Sequence, residues 1–355
     1  DQGLLEDLER LGVPVVRDRV TALHPAPGGH ELEIDTDAGP RRMAAGFLVE
    51  ARGRAAPGGG APRVRGVETV SLLQYWQGPA GEAGSTVLSV EDGWMWMAAL
   101  ADGRRYLQLT VDVASADLPP KRALGDYCSA RFHAVEAAAP FVRDAQPVGE
   151  PHARTSTAVL NESVAGDDWI RVGDAAMAVD PLSGNGIFQA LSSALQAPAV
   201  VATLRHDRGR TALAQHFHTR RIEHLFHRFA RIGRDFYAQE ARWPQAPFWA
   251  ARRGWPDALP LHAKVRPETV RVARGPVVCA GRIVEQDVVV TPDQPLGVWH
   301  LDGLAVAPML AALRREGGDA LENAAGEALL CARFGLERAR AAALLAWMRA
   351  QNWLD

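Results

Sequence analysis

The chain has 355 residues and a formal net charge of −3, and hydrophobic residues make up 47% of it. That length suits one large domain or two to three smaller ones with a sizeable core, and the near-neutral charge gives no reason to expect a nucleic-acid or membrane partner. Cys128, Cys279 and Cys331 are too far apart in sequence for a zinc motif or a disulfide framework, so a reducing, cytoplasmic setting is expected.

The N-terminal part is predicted to begin with a helix and to continue in short strands. Leucines at positions 4, 5, 8 and 11 have helical spacing, and Gly12 ends that helix. Strands are predicted over residues 13–16, 30–35 and 47–49, and the last of these leads into Arg52 and Gly53. The chain starts at Asp1 and enters the helical pattern at once, so we expect its true beginning to lie upstream.

The middle of the chain is predicted to contain an antiparallel sheet after a linker. Residues 57–66 are rich in Gly, Pro and Arg, which is typical of a linker. Alternating strands follow over residues 87–90, 94–97 and 105–111, and such a sheet can lie over a cavity. A helical pattern covers residues 121–145, and one more strand covers residues 170–172.

Two helices and a separate C-terminal module complete the prediction. The helices cover residues 186–204 and 210–241, and the second should bury a stripe of Phe217, Ile222, Leu225, Phe229, Ile232 and Phe236. No apolar run approaches the roughly 18 residues that a membrane span requires. Strand-like residues 277–290 precede an Ala- and Leu-rich helical tail, which we interpret as a small module.

The strongest motif follows the strand at residues 170–172. It comprises Gly173 and Asp174, and then Pro181, Gly184, Asn185, Gly186 and Ile187. A carboxylate at the carboxyl end of a strand can accept hydrogen bonds from ligand hydroxyls, since open α/β sheets bind ligands at that edge. The glycines let a backbone approach a ligand closely, and the start of the next helix offers free N–H groups to an anion or a polar ring edge.

This motif resembles the second FAD signature of flavoprotein hydroxylases and flavin-dependent halogenases. The resemblance implies that Asp174 binds the ribityl chain of FAD and that residues 184–187 line the flavin ring. Residues 48–54 resemble the family's strand that ends in Asp-Ala-Thr-Gly, with Glu50 and Arg52 in place of Asp and Thr, which implies that Arg52 and Gly53 contact the cofactor. The family's Gly-x-Gly-x-x-Gly fingerprint is absent from the 355 residues and is expected before residue 1.

Two tryptophans are the candidate substrate-binding residues. Trp94 and Trp96 lie two apart on a predicted strand, so both rings should face the same side and could enclose a flat aromatic substrate or serve as core packing. They resemble the Trp-x-Trp-x-Ile-Pro signature of flavin-dependent halogenases, but Ala98 and Ala99 replace Ile-Pro. The halogenases' catalytic lysine has no counterpart at Lys121 or Lys264. Halogenation of an indole therefore stays an alternative to hydroxylation.

A closer resemblance is carried by residues 93–96, 180–187, 236–243 and 248–249. These stretches look like the flavoproteins that mature peptide-derived quinone cofactors, including the cysteine tryptophylquinone of quinohaemoprotein amine dehydrogenase. The resemblance implies hydroxylation of a tryptophan within a peptide or protein, with electrons from NAD(P)H or a reductase. The sequence names no catalytic acid or base. The other class of function is a non-catalytic adaptor that binds a partner through its basic helix.

The long helix carries histidines and arginines that need separate consideration. His224 and His227 could share a face, but no cysteine or clear carboxylate accompanies them, so no metal is predicted. The arginines at 220, 221, 228, 231 and 234 are expected to form a solvated face with salt bridges to Glu223 and Asp235, or else a docking face for an acidic partner.

The resemblance implies an α/β fold with an FAD-binding domain of the glutathione-reductase type. That domain should comprise residues 1–66 and 150–205, with a substrate domain of antiparallel sheet inserted at residues 67–149. Residues 206–262 form the long helix and its continuation, and residues 263–355 form a small, mostly helical C-terminal domain.

Overall fold

The computed structural model describes residues 2–57, 60–317 and 322–354. Its N-terminal part contains one helix and a three-stranded antiparallel sheet in the order β1-β2-β3. The elements are α1 (Gln2–Arg10), β1 (Arg19–Ala26), β2 (Gly29–Thr36) and β3 (Gly39–Ala45). The strand predicted over residues 30–35 is confirmed. The strand predicted over residues 13–16 is wrong: Val13 and Val16 are exposed, and Pro14 between them has no N–H to donate to a ladder.

The middle of the chain forms a five-stranded antiparallel sheet with helices against one face. Two short strands, β4 (Leu48–Glu50) and β5 (Arg63–Arg65), come before it, so the predicted linker contains a strand. The sheet and its helices are β6 (Thr69–Gln77), β7 (Gly84–Val90), β8 (Gly93–Ala99), β9 (Arg104–Asp112), α2 (Leu124–His133), α3 (Ala139–Val142) and β10 (Gln146–Thr155). The strand order is β10-β6-β9-β8-β7, which confirms the predicted sheet.

The two faces of this sheet have different roles. Met95 and Met97 are fully buried on the face that packs on the helices, in a cluster with Phe132. Trp94 and Trp96 point to the opposite face and join an aromatic cluster outside the sheet, as the alternation of side chains along a strand requires.

The strongest sequence motif lies in the next segment, where two strands pair in parallel. The elements are β11 (Val159–Asn161), β12 (Trp169–Arg171), β13 (Met177–Ala178), α4 (Gly186–His206), α5 (Thr211–Gln239) and α6 (Pro247–Arg253). Strand β12 pairs in parallel with β4, with Ile170 opposite Val49. The two carboxyl ends therefore lie side by side, and the turns that follow them are neighbours.

Helix α5 buries a face that is rotated from the predicted stripe. Ile222 and Phe229 are buried as predicted, but Phe236 is 44% exposed. The buried set is instead Ala214, His218, Ile222, Phe226, Phe229, Ala230, Gly233 and Tyr237. The polar His218 lies on this face because its Nε2–H donates a hydrogen bond to the Arg171 carbonyl, and the small Gly233 lies next to Asp180.

Helix α4 is long and apolar enough to cross a membrane by length and composition, which the sequence analysis did not expect. One such helix is weak evidence of a span, and its hydroxyls bond within the protein: Ser193 to the Gly173 N–H and Thr203 to the Ile283 N–H. The N-terminal half of α4 nevertheless leaves an apolar stripe uncovered in the described structure. The stripe consists of Ile187, Phe188, Leu191 and Leu195.

The C-terminal part has a core of its own. Its elements are β14 (Arg271–Cys279), β15 (Arg282–Val290), β16 (His300–Leu301), β17 (Leu304–Ala305), α7 (Val306–Gly317), α8 (Asn323–Phe334) and α9 (Arg338–Ala350). Leu310, Leu330 and Leu345 from the three helices pack together with Val289 of the β14–β15 hairpin. The predicted strands and helical tail are thus confirmed, and the hairpin also packs against α4 and α5.

Candidate functional site

Gly173 makes the turn that follows β12. Its φ is +54°, a left-handed conformation that favours glycine, and its N–H donates to Ser193 Oγ at 2.9 Å on α4. This bond fixes the turn against the helix and leaves the next residue, Asp174, at the carboxyl end of the parallel pair. The strand–turn–helix arrangement predicted for the motif is therefore present.

Asp174 faces an arginine that the sequence analysis did not single out. Arg54 Nε lies 3.3 Å from Asp174 Oδ2, and the Asp174 side chain keeps 32% of its surface exposed. The guanidinium of Arg54 is itself held by the carbonyls of Thr157 and Val179. Burial raises the pKa of Asp174 while Arg54 opposes that rise. Asp174 and Arg54 thus present one hydrogen-bond acceptor and one cation at the carboxyl end of the parallel strand pair. The contact of Asp174 with a ribityl chain stays a prediction.

Arg52 is turned away from this pair and bonds to Glu50. Its Nε lies 3.0 Å from Glu50 Oε1, and its backbone N–H donates to the same oxygen. Although burial raises the pKa of Glu50, these hydrogen bonds bring it below its usual value. Gly53 starts a short turn that contacts the turn at Gly173. The structure therefore brings Gly53 to the predicted site and gives Arg52 a structural partner.

The glycine-rich turn before α4 is open. Residues 181–183 make a single 3-10 turn that starts at Pro181, with the Leu182 N–H donating to Asp180 Oδ1 at 2.9 Å. Gly184 ends that turn at a φ of +67°. A side chain at Gly184 or Gly186 would meet no described atom within 4 Å. This turn is therefore not packed shut by neighbouring side chains, as a purely structural turn would be.

The start of α4 is the second feature that suits a ligand. Asn185 precedes the helix but its side chain bonds back to the Ser183 carbonyl and caps no helical N–H. Ile187 is 80% exposed beside these free N–H groups. An open glycine turn, uncapped N–H groups and an exposed apolar side chain together fit a flat, polar-edged group such as a flavin. The roles of Pro181 and residues 184–187 stay predictions.

An aromatic layer connects the turn to the five-stranded sheet. Tyr237 of α5 packs edge-to-face against Phe248 and Trp249 of α6, with ring centroids 5.8 Å away in both cases. Trp94 of β8 and Leu182 of the glycine-rich turn complete this cluster. The sequence does not predict that α5 and α6 face β8, because neither helix reveals this by its own pattern.

A cavity of about 370 Å³ opens beside this layer. Its lining consists of Val87, Ser89, Trp94, Leu182, Phe236, Gln239, Glu240 and Trp249. Trp94 thus lines the same cavity as Leu182 of the glycine-rich turn, and its role in substrate binding stays a prediction. Trp96 does not line the cavity and packs within the aromatic cluster, which corresponds to the alternative of core packing.

Buried polar groups hold this layer in place. The hydroxyl of Tyr237 donates to the Asp180 carboxylate at 3.0 Å, and burial followed by the charge of Asp180 raises the pKa of Tyr237 well above its usual value. Trp94 Nε1 lies near that hydroxyl but meets no acceptor with hydrogen-bond geometry. Arg252 stacks on Phe248, with 3.9 Å from its guanidinium carbon to the ring centroid. Its Nη2 lies 3.3 Å from the Asp112 carboxylate of β9.

The charged face of α5 is paired only in part as predicted, and neither Arg221 nor Arg228 has an ion pair among the described residues. Arg220 lies 3.6 Å from Glu223, and Arg234 lies 2.7 Å from Asp235. Arg221 donates to Ser192 Oγ, and no carboxylate of the described residues lies within ion-pair distance of it. The described residues contain no group of three or more His, Cys, Asp and Glu side chains placed to hold a metal ion. The absence of a metal stays a prediction.

Comparisons with known proteins give relatives over the whole chain. No protein-family model matches it. The solved structure of the peptidyl tryptophan dihydroxylase QhpG, described as essential for tryptophylquinone cofactor biogenesis, is 48% identical. It aligns over 99% of this chain and 78% of that one, with a TM-score of 0.80. The tryptophan 2-halogenase of Chondromyces crocatus is 29% identical over 200 residues, and the match spans 54% of this chain but only 38% of that protein.

A more distant structure shares the fold alone. The flavin-dependent halogenase CmlS is 16% identical, aligns over 99% of this chain and 76% of that one, and has a TM-score of 0.75. The mixed fold of helices and sheets is therefore shared by proteins of widely different sequence. Of these two solved structures, the dihydroxylase is much more similar in sequence, with 48% identity against 16%.

Proposed function

Because this chain belongs to the family of FAD-dependent monooxygenases and halogenases that contains the peptidyl tryptophan dihydroxylase, we propose that it is an FAD-dependent monooxygenase. Its substrate is a tryptophan side chain within a peptide or protein, and the reaction belongs to the maturation of a quinone cofactor. The observation that carries this proposal is the cavity that Leu182 of the flavin motif shares with Trp94 and Trp249.

The residues around the glycine-rich turn suit FAD. Asp174 would accept hydrogen bonds from the ribityl hydroxyls, and Arg54 beside it supplies a fixed positive charge. Gly184 and Gly186 leave open space beside the backbone of the turn, and the uncapped first N–H groups of α4 follow directly. When bound and reduced, FAD activates O₂ for transfer of an oxygen atom to an aromatic ring, with electrons from NAD(P)H or a reductase.

The chain's own residues would bind and orient the indole and exclude water from it. Trp94 and Trp249 offer flat apolar faces, and the cavity lies within the range of small-molecule sites. The Trp249 Nε1–H donates to the Val90 carbonyl at 3.0 Å, which fixes its ring. Tyr237 and Phe248 lie behind these rings and are almost fully buried, so the inner wall is dry.

Hydroxylation is favoured over halogenation by what surrounds the cavity. The family's halogenases use a lysine, and neither Lys121 nor Lys264 lines the cavity. Ala98 and Ala99 also stand where the halogenase signature has Ile-Pro. The adaptor alternative is disfavoured by the open turn at Gly184, since a protein that had lost its cofactor would not need it.

We also propose the domain organisation that this function requires. Residues 1–66 and 150–205 belong to the FAD-binding domain, residues 67–149 to the substrate domain, residues 206–262 to the long helix and its continuation, and residues 263–355 to the C-terminal domain. The parallel pair of β4 and β12 supports the first of these, and the separate core around Leu310 and Leu330 supports the last.

Product analysis tests the proposal. The native protein is purified, its flavin absorption is recorded, and it is incubated with FAD, a reductant, O₂, chloride and a tryptophan-containing peptide. Mass spectrometry should show added oxygen on the tryptophan, and the same peptide with phenylalanine in its place should stay unmodified. Replacement of hydrogen by chlorine would support the halogenase alternative, and the absence of any flavin spectrum would support the adaptor.

A further inference from the structure

A second cleft lies between α5 and the β14–β15 hairpin, away from the flavin motif. Its volume is about 620 Å³. Its polar lining includes four arginines and two histidines, and no Asp or Glu is among its lining residues. They are His216, Arg220, Arg221, Arg271, Arg274 and His300. A concave surface with charges of one sign concentrates a positive potential and attracts anionic groups.

Arg221 contributes a charge to this cleft that no carboxylate of the described residues neutralises. It is half-buried, it bonds only to Ser192 Oγ at 2.6 Å among the described residues, and burial lowers its pKa. Its neighbours have carboxylate partners: Arg220 has Glu223 at 3.6 Å, and Arg274 has Asp287 at 3.5 Å. A partly desolvated guanidinium without a counter-ion is unfavourable, and an incoming carboxylate would relieve that cost.

The rest of the lining is apolar and favours a polypeptide over a free inorganic anion. Phe217 of α5, Val288 of β15, Leu296 and Trp299 line the same cleft as the arginines. A small hydrated anion gains nothing from such a surface, whereas a peptide that alternates acidic and apolar side chains can use both parts.

We propose that this basic cleft is a docking site for an acidic segment of the polypeptide substrate, remote from the residue that is modified. The inference rests on the proposed function, because it assigns a second contact to the same substrate. Arg221 and Tyr237 lie sixteen positions apart on α5, so the cleft and the aromatic layer are about 24 Å apart along the helix. An extended segment of about seven to eight residues spans that distance.

Direct binding tests the cleft without reference to catalysis. Fluorescence polarisation is measured with a labelled peptide of alternating Glu and Leu and with its Gln-for-Glu counterpart. The acidic peptide should bind and the amide peptide should not, and the affinity should fall as salt rises. The variants Arg221→Gln and Arg271→Gln should each weaken binding by about tenfold, the loss expected for one charge-assisted contact. Arg271 is exposed, so its replacement leaves the fold intact.

Matched controls decide between this cleft and general electrostatic attraction. Arg333→Glu changes an exposed arginine of α8 outside the cleft and should leave binding unchanged. Equal binding of the two peptides, or equal weakening by Arg333→Glu, would overturn the proposal. Displacement of the peptide by inorganic phosphate at equal concentration would overturn it as well, because the cleft would then select a free anion.

Turnover separates this inference from the proposed function. A tryptophan peptide with a distant acidic segment should show a higher KM with Arg221→Gln and an unchanged kcat, whereas a peptide without that segment should be unaffected by the substitution. Binding of the acidic peptide without any oxygen insertion would leave the cleft standing and refute the monooxygenase. Oxygen insertion with a KM indifferent to the acidic segment would refute the cleft alone.

Discussion

Removing one hydroxyl from the aromatic layer tests how the candidate site is held together. Tyr237→Phe deletes the group that donates to Asp180 at 3.0 and 3.1 Å and leaves the ring contacts in place. Tyr237 is only 2% exposed, so water does not replace the lost donor without rearrangement. Asp180 keeps one donor, the Leu182 N–H at 2.9 Å.

The expected loss follows from the charge of the acceptor. A hydrogen bond to an ionised group contributes roughly 1.5–3 kcal/mol, so we expect the free energy of unfolding to fall by about 2 kcal/mol. The pKa of Asp180, already raised by burial, should rise further because its charged form loses a donor. Urea unfolding of the flavin-saturated protein measures the change. Tyr75→Phe is the matched control, since Tyr75 is 37% exposed and its hydroxyl makes no hydrogen bond to the described residues. It should cost less than about 0.5 kcal/mol.

A double-mutant cycle assigns the effect to the pair. Asp180→Asn is combined with Tyr237→Phe, and a coupling free energy of about 1 kcal/mol or more is expected between residues in direct contact. Two outcomes would refute this hydrogen bond as the link between α5 and the glycine-rich turn. One is a decrease in the free energy of unfolding for Tyr237→Phe that is no larger than that for Tyr75→Phe. The other is additive effects of the two substitutions in the cycle.

Four further predictions concern the site and its surroundings. Asp174→Ala should raise the Kd for FAD by about tenfold or more, measured by flavin fluorescence, because one charged acceptor is lost. Trp94→Ala should lower turnover of a tryptophan peptide more than it lowers flavin retention. Hydrogen bonds from Arg242 lower the pKa of Glu240 from 4.5 to about 2. The stabilising effect of the Glu240 carboxylate is therefore present above pH 4.5 and is lost as the pH falls towards 2. The melting temperatures of the wild type and of Glu240→Gln should converge over that pH interval. Burial raises the pKa of Cys128 to about 11, so a thiol reagent at neutral pH should label it only after unfolding.

Each of these predictions has a distinct contrary outcome. Unchanged flavin affinity in Asp174→Ala would remove that carboxylate from the cofactor site. Equal loss of flavin and turnover in Trp94→Ala would show that the ring serves packing. A melting-temperature difference for Glu240→Gln that persists at low pH would contradict the lowered pKa, and labelling of native Cys128 would contradict its burial.

The sequence predicts local structure well where the pattern is short-range. The alternation along β8 correctly places Trp94 and Trp96 on one face, with Met95 between them on the other, because a strand's period is set by its own backbone. The strand and the turn at Gly173 are predicted for the same reason, because adjacent residues of the chain form them.

Contacts between distant segments are what the sequence does not predict. Arg54 rather than Arg52 meets Asp174, and nothing in residues 52–54 shows which arginine Glu50 will bind. The buried face of α5 depends on what packs against it, so a stripe drawn through apolar residues alone included the exposed Phe236 and omitted the buried Tyr237. The basic cleft likewise requires the hairpin, which follows α5 by more than thirty positions.

The contacts of Arg252 bear on the side from which a substrate can reach the cavity. Its contacts with Phe248 and with Asp112 of β9 join α6 to the sheet behind the cavity. The cavity opens to solvent at a rim where Val87, Phe236 and Gln239 are exposed. Under the proposed function a tryptophan has to approach from this side, so we expect a partner that presents it on a protruding turn rather than flat within a sheet.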